Sequence, residues 1–119
     1  MKIQLTMMEM GELHLLLEPF SKNPNFTEFR SSIESAGGKL RGALERFGAR
    51  MDGRGWRFLK SKADTPVEVK LEKLEAIILR RLAKIAVVKI GGELAPKSLL
   101  PAHEKLSAQL DKAGVALKP

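Results

Sequence analysis

Thr65-Pro66-Val67-Glu68-Val69-Lys70-Leu71-Glu72-Lys73-Leu74-Glu75 is the stretch on which the fold class turns. Val67, Val69 and Leu71 alternate with charged residues, the period of two that marks a half-buried strand. The same residues also fit a helix start. Thr65 would be the N-cap, Pro66 the first helical residue and Glu68 the capping-box partner, so that one helix runs over 66–90. The strand reading makes the chain α+β, and the helix reading makes it all-α. Past Glu72 the two agree. Leu74, Ile77, Ile78, Leu82 and Ile85 recur on one face, which predicts a helix to about Ala86, with Gly91-Gly92 ending the element.

An echo of this stretch opens the chain. Ile3-Gln4-Leu5-Thr6-Met7-Met8-Glu9 lines up with Val69-Lys70-Leu71-Glu72-Lys73-Leu74-Glu75, and Leu13 and Leu16 then match Leu79 and Leu82. Both copies read as strand, then helix, and the two strands would pair in one small sheet under the helices. In the first copy Lys2–Thr6 is the strand. Thr6 and Glu9 have the capping-box spacing, a hydroxyl and a carboxylate that satisfy each other's backbone amides. The helix that follows turns Met10, Leu13, Leu16 and Leu17 inward and stops at Pro19. Ser21–Asn25 is a loop by composition.

Between the copies lies a longer helical pattern. Phe26 reads as a hydrophobic staple and Thr27 as an N-cap. Phe29, Ile33, Ala36, Leu40, Leu44 and Phe47 then keep one apolar stripe, so the spacing predicts one helix to about Arg50. Gly37, Gly38 and Gly42 each cost about 1 kcal/mol there relative to Ala. The rival reading is two short helices broken at Gly37-Gly38. Met51–Gly55 reads as a turn and Trp56–Lys60 as a strand, joined to Val67–Leu71 by a hairpin loop over Ser61–Pro66. Glu93–Leu100 is a loop. Pro101 opens a last helix carrying Leu106, Leu110 and Ala113, Gly114 ends it, and residues 115–119 form a frayed tail. The expected fold is therefore mainly α: an α-rich α+β single domain over 1–119. It has three to four helices and room for a two- or three-stranded sheet from residues 2–5, 56–60 and 67–71.

Composition narrows the chemistry. With 119 residues and 44% hydrophobic content the chain can bury a core. It has no Cys, so thiolate metal sites and cysteine nucleophiles are excluded. Its two histidines, His14 and His103, have no neighbours at metal-ligand spacing. There is no triad order, nucleophile elbow or phosphate-loop pattern around Gly38-Lys39 or Gly53-Arg54-Gly55. The expectation is a protein with no catalytic, cofactor or metal residues. Glu9 and Glu12 interrupt any signal-peptide apolar run, and no apolar stretch reaches the length of a membrane span, so the expected compartment is the cytoplasm, with no membrane partner.

The net charge of +7 is unevenly placed. Residues 39–62 carry eight cations and two anions, whereas residues 1–38 carry three cations and five anions. As helix neighbours, Lys39, Arg46 and Arg50 fall in one stripe, and Arg41, Arg54, Arg57, Lys60 and Lys62 extend it if the next segment folds alongside. Trp56 sits among them and offers a plane for a base. Ser31, Ser35, Gly38 and Gly42 add a smooth face that suits close helix packing. The pattern points to a small basic non-enzymatic protein that contacts RNA or DNA through Lys39, Arg41, Arg46, Arg50, Arg54, Trp56, Arg57, Lys60 and Lys62. The alternative is an adaptor or inhibitor, of the short kind that phages and mobile elements encode, that meets an acidic protein surface or a nucleoprotein complex. A homo-oligomer is compatible with either. In the bland alternative the cations are a solvated face and Trp56 is a core plug.

Overall fold

The computed structural model describes residues 1–53, 55–90 and 99–114. In chain order the elements are β1 (Lys2–Thr6), α1 (Met7–Ser21), a 3-10 turn (Pro24–Phe29), α2 (Arg30–Arg46), β2 (Arg50–Asp52), β3 (Gly55–Arg57), a second 3-10 turn (Lys60–Lys62), β4 (Pro66–Lys70), α3 (Lys73–Ile90) and α4 (Leu99–Lys112). The fold is α-rich α+β, with four helices and two separate two-stranded ladders among the described residues. Val67–Lys70 is strand, not helix. Its partner is β1, antiparallel, with Ile3 opposite Val69 and Leu5 opposite Val67. Those four side chains point down onto the helices and are buried, while Lys2, Gln4, Glu68 and Lys70 face outward.

The echo in the sequence is an architectural repeat. The offset that carries Glu9 to Glu75 also carries Leu13 to Leu79, Ile33 to Leu99, Ala36 to Ala102, Leu40 to Leu106 and Leu44 to Leu110. All ten of these apolar residues are buried. The same offset carries Gly48, at φ +98°, to Gly114, at φ +74°. Ile3 and Val69 are equivalent under this offset and also face each other in the ladder, so a local two-fold axis through that pair interchanges the two β-α-α units. The units are 1–48 and 67–114, and the segment between them has no counterpart among the described residues.

Ion pairs lock the units reciprocally. Glu9 reaches back to the Thr6 N–H (2.9 Å), the Thr6 hydroxyl accepts from the Glu9 N–H (3.2 Å), and Lys105 of α4 binds the carboxylate at 2.9 Å. Glu75 reaches back to the Glu72 N–H (2.8 Å) and accepts from Lys39 of α2 (2.6 Å) and from the Ser35 hydroxyl (2.5 Å). Lys39 and Lys105 are related by the same offset. Each helix start is thus capped by its own glutamate and held by a lysine from the other unit. Burial alone would raise both carboxyl pKa values, but the hydrogen bonds from backbone, hydroxyl and lysine outweigh it and hold both below the usual carboxylate value.

Several boundaries differ from the sequence expectation. Pro19 does not stop α1. It lies in the last turn, where one forgone hydrogen bond costs least, and the Ser21 hydroxyl donates to the Glu18 carbonyl at 2.7 Å. Thr27 caps no helix, because its hydroxyl donates back to the Pro24 carbonyl (2.8 Å) inside a 3-10 turn that Asn23 caps, and α2 begins only at Arg30. Phe26 packs edge-on to Phe20, ring centroids 5.1 Å apart. Gly37-Gly38 does not break α2. The helix ends at Arg46 instead of near Arg50, because Gly48 adopts positive φ and the chain closes a Schellman turn: Gly48 N–H to the Glu45 carbonyl (3.1 Å) and Ala49 N–H to the Leu44 carbonyl (3.0 Å). Met51–Gly55 is not simply a turn, since Arg50–Asp52 pairs with Gly55–Arg57 as a hairpin. The strand expected over 56–60 therefore ends at Arg57 and never joins β4. α4 starts at Leu99, and Pro101 lies in its first turn, where no intrahelical N–H bond is lost. The expectations for Gly91-Gly92, for most of the loop before α4 and for the tail 115–119 lie outside the described residues.

Candidate nucleic-acid interface

The expected site residues divide into three groups. Lys39 is committed to Glu75 across the α2–α3 contact, Arg41 pairs with Glu45 on its own helix (2.8 Å) and Arg57 with Asp52 across the hairpin (2.8 Å). Arg46, Arg50, Lys60 and Lys62 are exposed and make no ion pair among the described residues. Arg54 lies outside the described residues. The helical stripe of Lys39, Arg46 and Arg50 does not exist as such, because α2 ends before Arg50.

A different geometry brings the Lys60–Lys62 turn to the chain between Arg46 and Arg50. The Schellman turn at Gly48 redirects the chain from Arg46 into β2, which begins at Arg50. Residues 63–65 are tied to the start of α1, where the Met8 N–H donates to the Ala63 carbonyl (3.2 Å) and the Met7 N–H to the Thr65 carbonyl (2.9 Å). These bonds satisfy amides that a helix N-terminus otherwise leaves orphaned. They also fix the preceding 3-10 turn, Lys60–Lys62, beside the end of α2. The Lys62 ammonium lies 3.7 Å from where a Cβ on Gly48 would stand. It therefore sits by the negative end of the α2 dipole, at the turn that links Arg46 to Arg50. Within the hairpin Arg50 stands directly opposite Arg57, so both occupy one face, and Met51 and Trp56 occupy the other.

Trp56 is a plug. It is half-buried and packs against the core, with its ring over Gly11 of α1. A Cβ on Gly11 would lie 3.4 Å from the indole Cδ1. Its indole N–H donates to His14 Nδ1 at 3.0 Å, and the rings meet edge-on with centroids 5.2 Å apart. Because the indole nitrogen can only donate, His14 Nδ1 carries no proton. Burial, then the nearby Arg41 charge, holds His14 below the usual histidine pKa, against the opposing pull of Glu18 and Glu45. Trp56 thus anchors the hairpin to α1, with its ring committed to Gly11 and His14.

The sequence reading missed Phe47. Taken there as the last residue of the apolar stripe, it is the C-cap of α2 and 38% exposed. The other aromatic side chains, Phe20, Phe26, Phe29, Trp56 and Phe58, pack against the core. The signal was Gly48, one residue later, which ends the helix before the stripe can reach cover.

Other features of the surface are separate. An apolar groove of about 450 Å³ between the C-terminal part of α1, the first 3-10 turn and α3 is lined by Leu16, Phe20, Phe26 and Ile85 among others. It lies at the opposite end of α1 from the residues tied to Ala63 and Thr65. Among the described residues no group of three or more His, Cys, Asp or Glu could hold a metal, and no helix is long and apolar enough to cross a membrane. The chain matches no family model, no curated protein and no solved structure.

Proposed function

We propose that this is a non-enzymatic nucleic-acid-binding protein of the cytoplasm that grips phosphates through Arg46, Arg50, Lys60 and Lys62. The observation that carries the reading is that these cations lack carboxylate partners among the described residues and lie around one structural junction, where α2 ends and the segment between the two units begins. Backbone bonds at Gly48 and at residues 63–65, with the Trp56 plug, support the site without occupying its charges. Lys39, Arg41 and Arg57, already paired, contribute field more than direct contact.

The test is fluorescence anisotropy with labelled single-stranded DNA, single-stranded RNA and duplex DNA at 50 and 200 mM salt. Four neutralised phosphates give an affinity loss of about 50- to 150-fold over that range. Arg46→Glu with Arg50→Glu abolishes binding. Affinity that is insensitive to salt, or untouched by the double reversal, removes the proposal. One observation favours the second reading, an adaptor that meets an acidic protein surface. Leu59, 66% exposed, immediately precedes the Lys60–Lys62 turn, and Met8, 44% exposed, is bonded to Ala63 just beyond it. Under that reading polynucleotide leaves the purified protein without consequence, and an acidic protein competes for the same cations.

A further inference from the structure

We infer that Phe47 is a stacking platform for an unpaired base, which makes the ligand of the basic junction single-stranded nucleic acid. The inference rests on the proposed function and specifies its substrate class. Phe47 is the most exposed of the described aromatics, at 38%, the others all being less open to solvent. It directly follows Arg46 and precedes Gly48, beside which the Lys62 ammonium lies, with Arg50 opening the next strand. The fold does not require a ring at this place. The internal repeat sets Ala113 at the equivalent position, where the same turn forms: Gly114 N–H bonds the Asp111 carbonyl (3.0 Å) as Gly48 N–H bonds Glu45 (3.1 Å). At a helix end that works with alanine, a phenyl side chain that keeps more than a third of its surface in solvent is more than the turn needs. Next in the chain to the cations proposed to hold phosphates, a planar ring offers a π-face that any base can use. In a duplex the base faces are already stacked and out of reach, so only an unpaired strand benefits.

The experiment uses the full chain with Phe47→Ala and Phe47→Trp, against labelled oligo(dT) and a duplex of matched length. Phe47→Ala lowers oligo(dT) affinity by about five- to 150-fold, the range for loss of one stacked base. It leaves duplex affinity and the salt slope unchanged, and Phe47→Trp restores binding. Unchanged thermal melting of the Ala variant excludes unfolding as the cause. If Arg46→Glu with Arg50→Glu loses oligo(dT) but Phe47→Ala binds as the parent does, stacking is wrong and the phosphate reading stands. Equal losses on single strand and duplex also overturn stacking. If the parent protein binds neither probe, both fall together.

Discussion

Glu75→Ala removes a side chain that accepts three hydrogen bonds. The carboxylate is 3% exposed and accepts from the Glu72 N–H, the Lys39 ammonium and the Ser35 hydroxyl. The capping bond contributes about 1 kcal/mol, by the usual cost of losing a helix cap. The Ser35 and Lys39 bonds contribute about 1 kcal/mol each. The discount from the full charged-bond value follows from the donors, an exposed Ser35 and a half-buried Lys39, which rehydrate when the acceptor is lost. The expected loss is about 3 kcal/mol. At an unfolding entropy of about 2.1 cal/mol/K per residue, that lowers Tm by about 12 °C for a chain of this length. Glu75→Gln keeps most of the hydrogen bonds without the charge and loses about half as much. Paired urea and thermal melts of the three proteins measure both numbers. A loss below about 0.5 kcal/mol for Glu75→Ala would mean that the two units are held by apolar packing alone, and the reciprocal lysine–glutamate bonds would be incidental.

Three further outcomes follow from the same geometry. Glu9 and Glu75 titrate below the usual carboxylate value in the folded protein. Their stabilisation is complete above about pH 4.5 and is lost as pH falls through their lowered values, so urea midpoints drop below pH 4.5, less so in Glu75→Gln. His14 also titrates below its unfolded value. Its stabilisation is present above about pH 6.5 and declines as pH falls, and the proton added at Nδ1 displaces the indole bond. The chain has one Trp and no Tyr, so the emission maximum of Trp56 reads this directly. It moves to the red on acidification in the parent protein and stays level in His14→Gln, and a shift of equal size in the variant refutes the link. Nothing lies within 4 Å of a Cβ on Gly38 or Gly42. Replacing both by Ala inside α2 therefore stabilises the protein by about 2 kcal/mol in a thermal melt, and a fall in Tm would show that the helix is not continuous there.

The legible parts of the fold were those written in local patterns. The Thr6–Glu9 spacing specifies a cap with little help from elsewhere, and it formed; the alternation at Val67–Leu71 competed with a helix start at Thr65-Pro66, and pairing with β1 decided for the strand. The echo between residues 3–9 and 69–75 foretold the pairing of the two strands, because like copies with one apolar face cover that face together. Local rules failed where two of them competed. The apolar stripe through Phe47 argued for a longer helix than Gly48 allowed, and the positive-φ turn prevailed. Thr27 had the residue type of an N-cap, but Pro24 and Asn23 offered a tighter turn first. The charge run was legible as composition, yet its disposition was not. Lys39 is separated from Glu75 by much of the chain, and only the packing of α2 on α3 brings them to 2.6 Å. Trp56 likewise needed Gly11 and His14, both on α1, before its ring had a place.

The central claim is that the free cations, and not the paired ones, hold phosphate. The most direct measurement is the slope of log affinity against log salt concentration for single-residue glutamine variants on one labelled oligonucleotide. Arg46→Gln, Arg50→Gln, Lys60→Gln and Lys62→Gln should each reduce the slope by about one, whereas Lys39→Gln and Arg57→Gln should leave it near the parent value. A slope that changes equally for all six, or for none, contradicts the account.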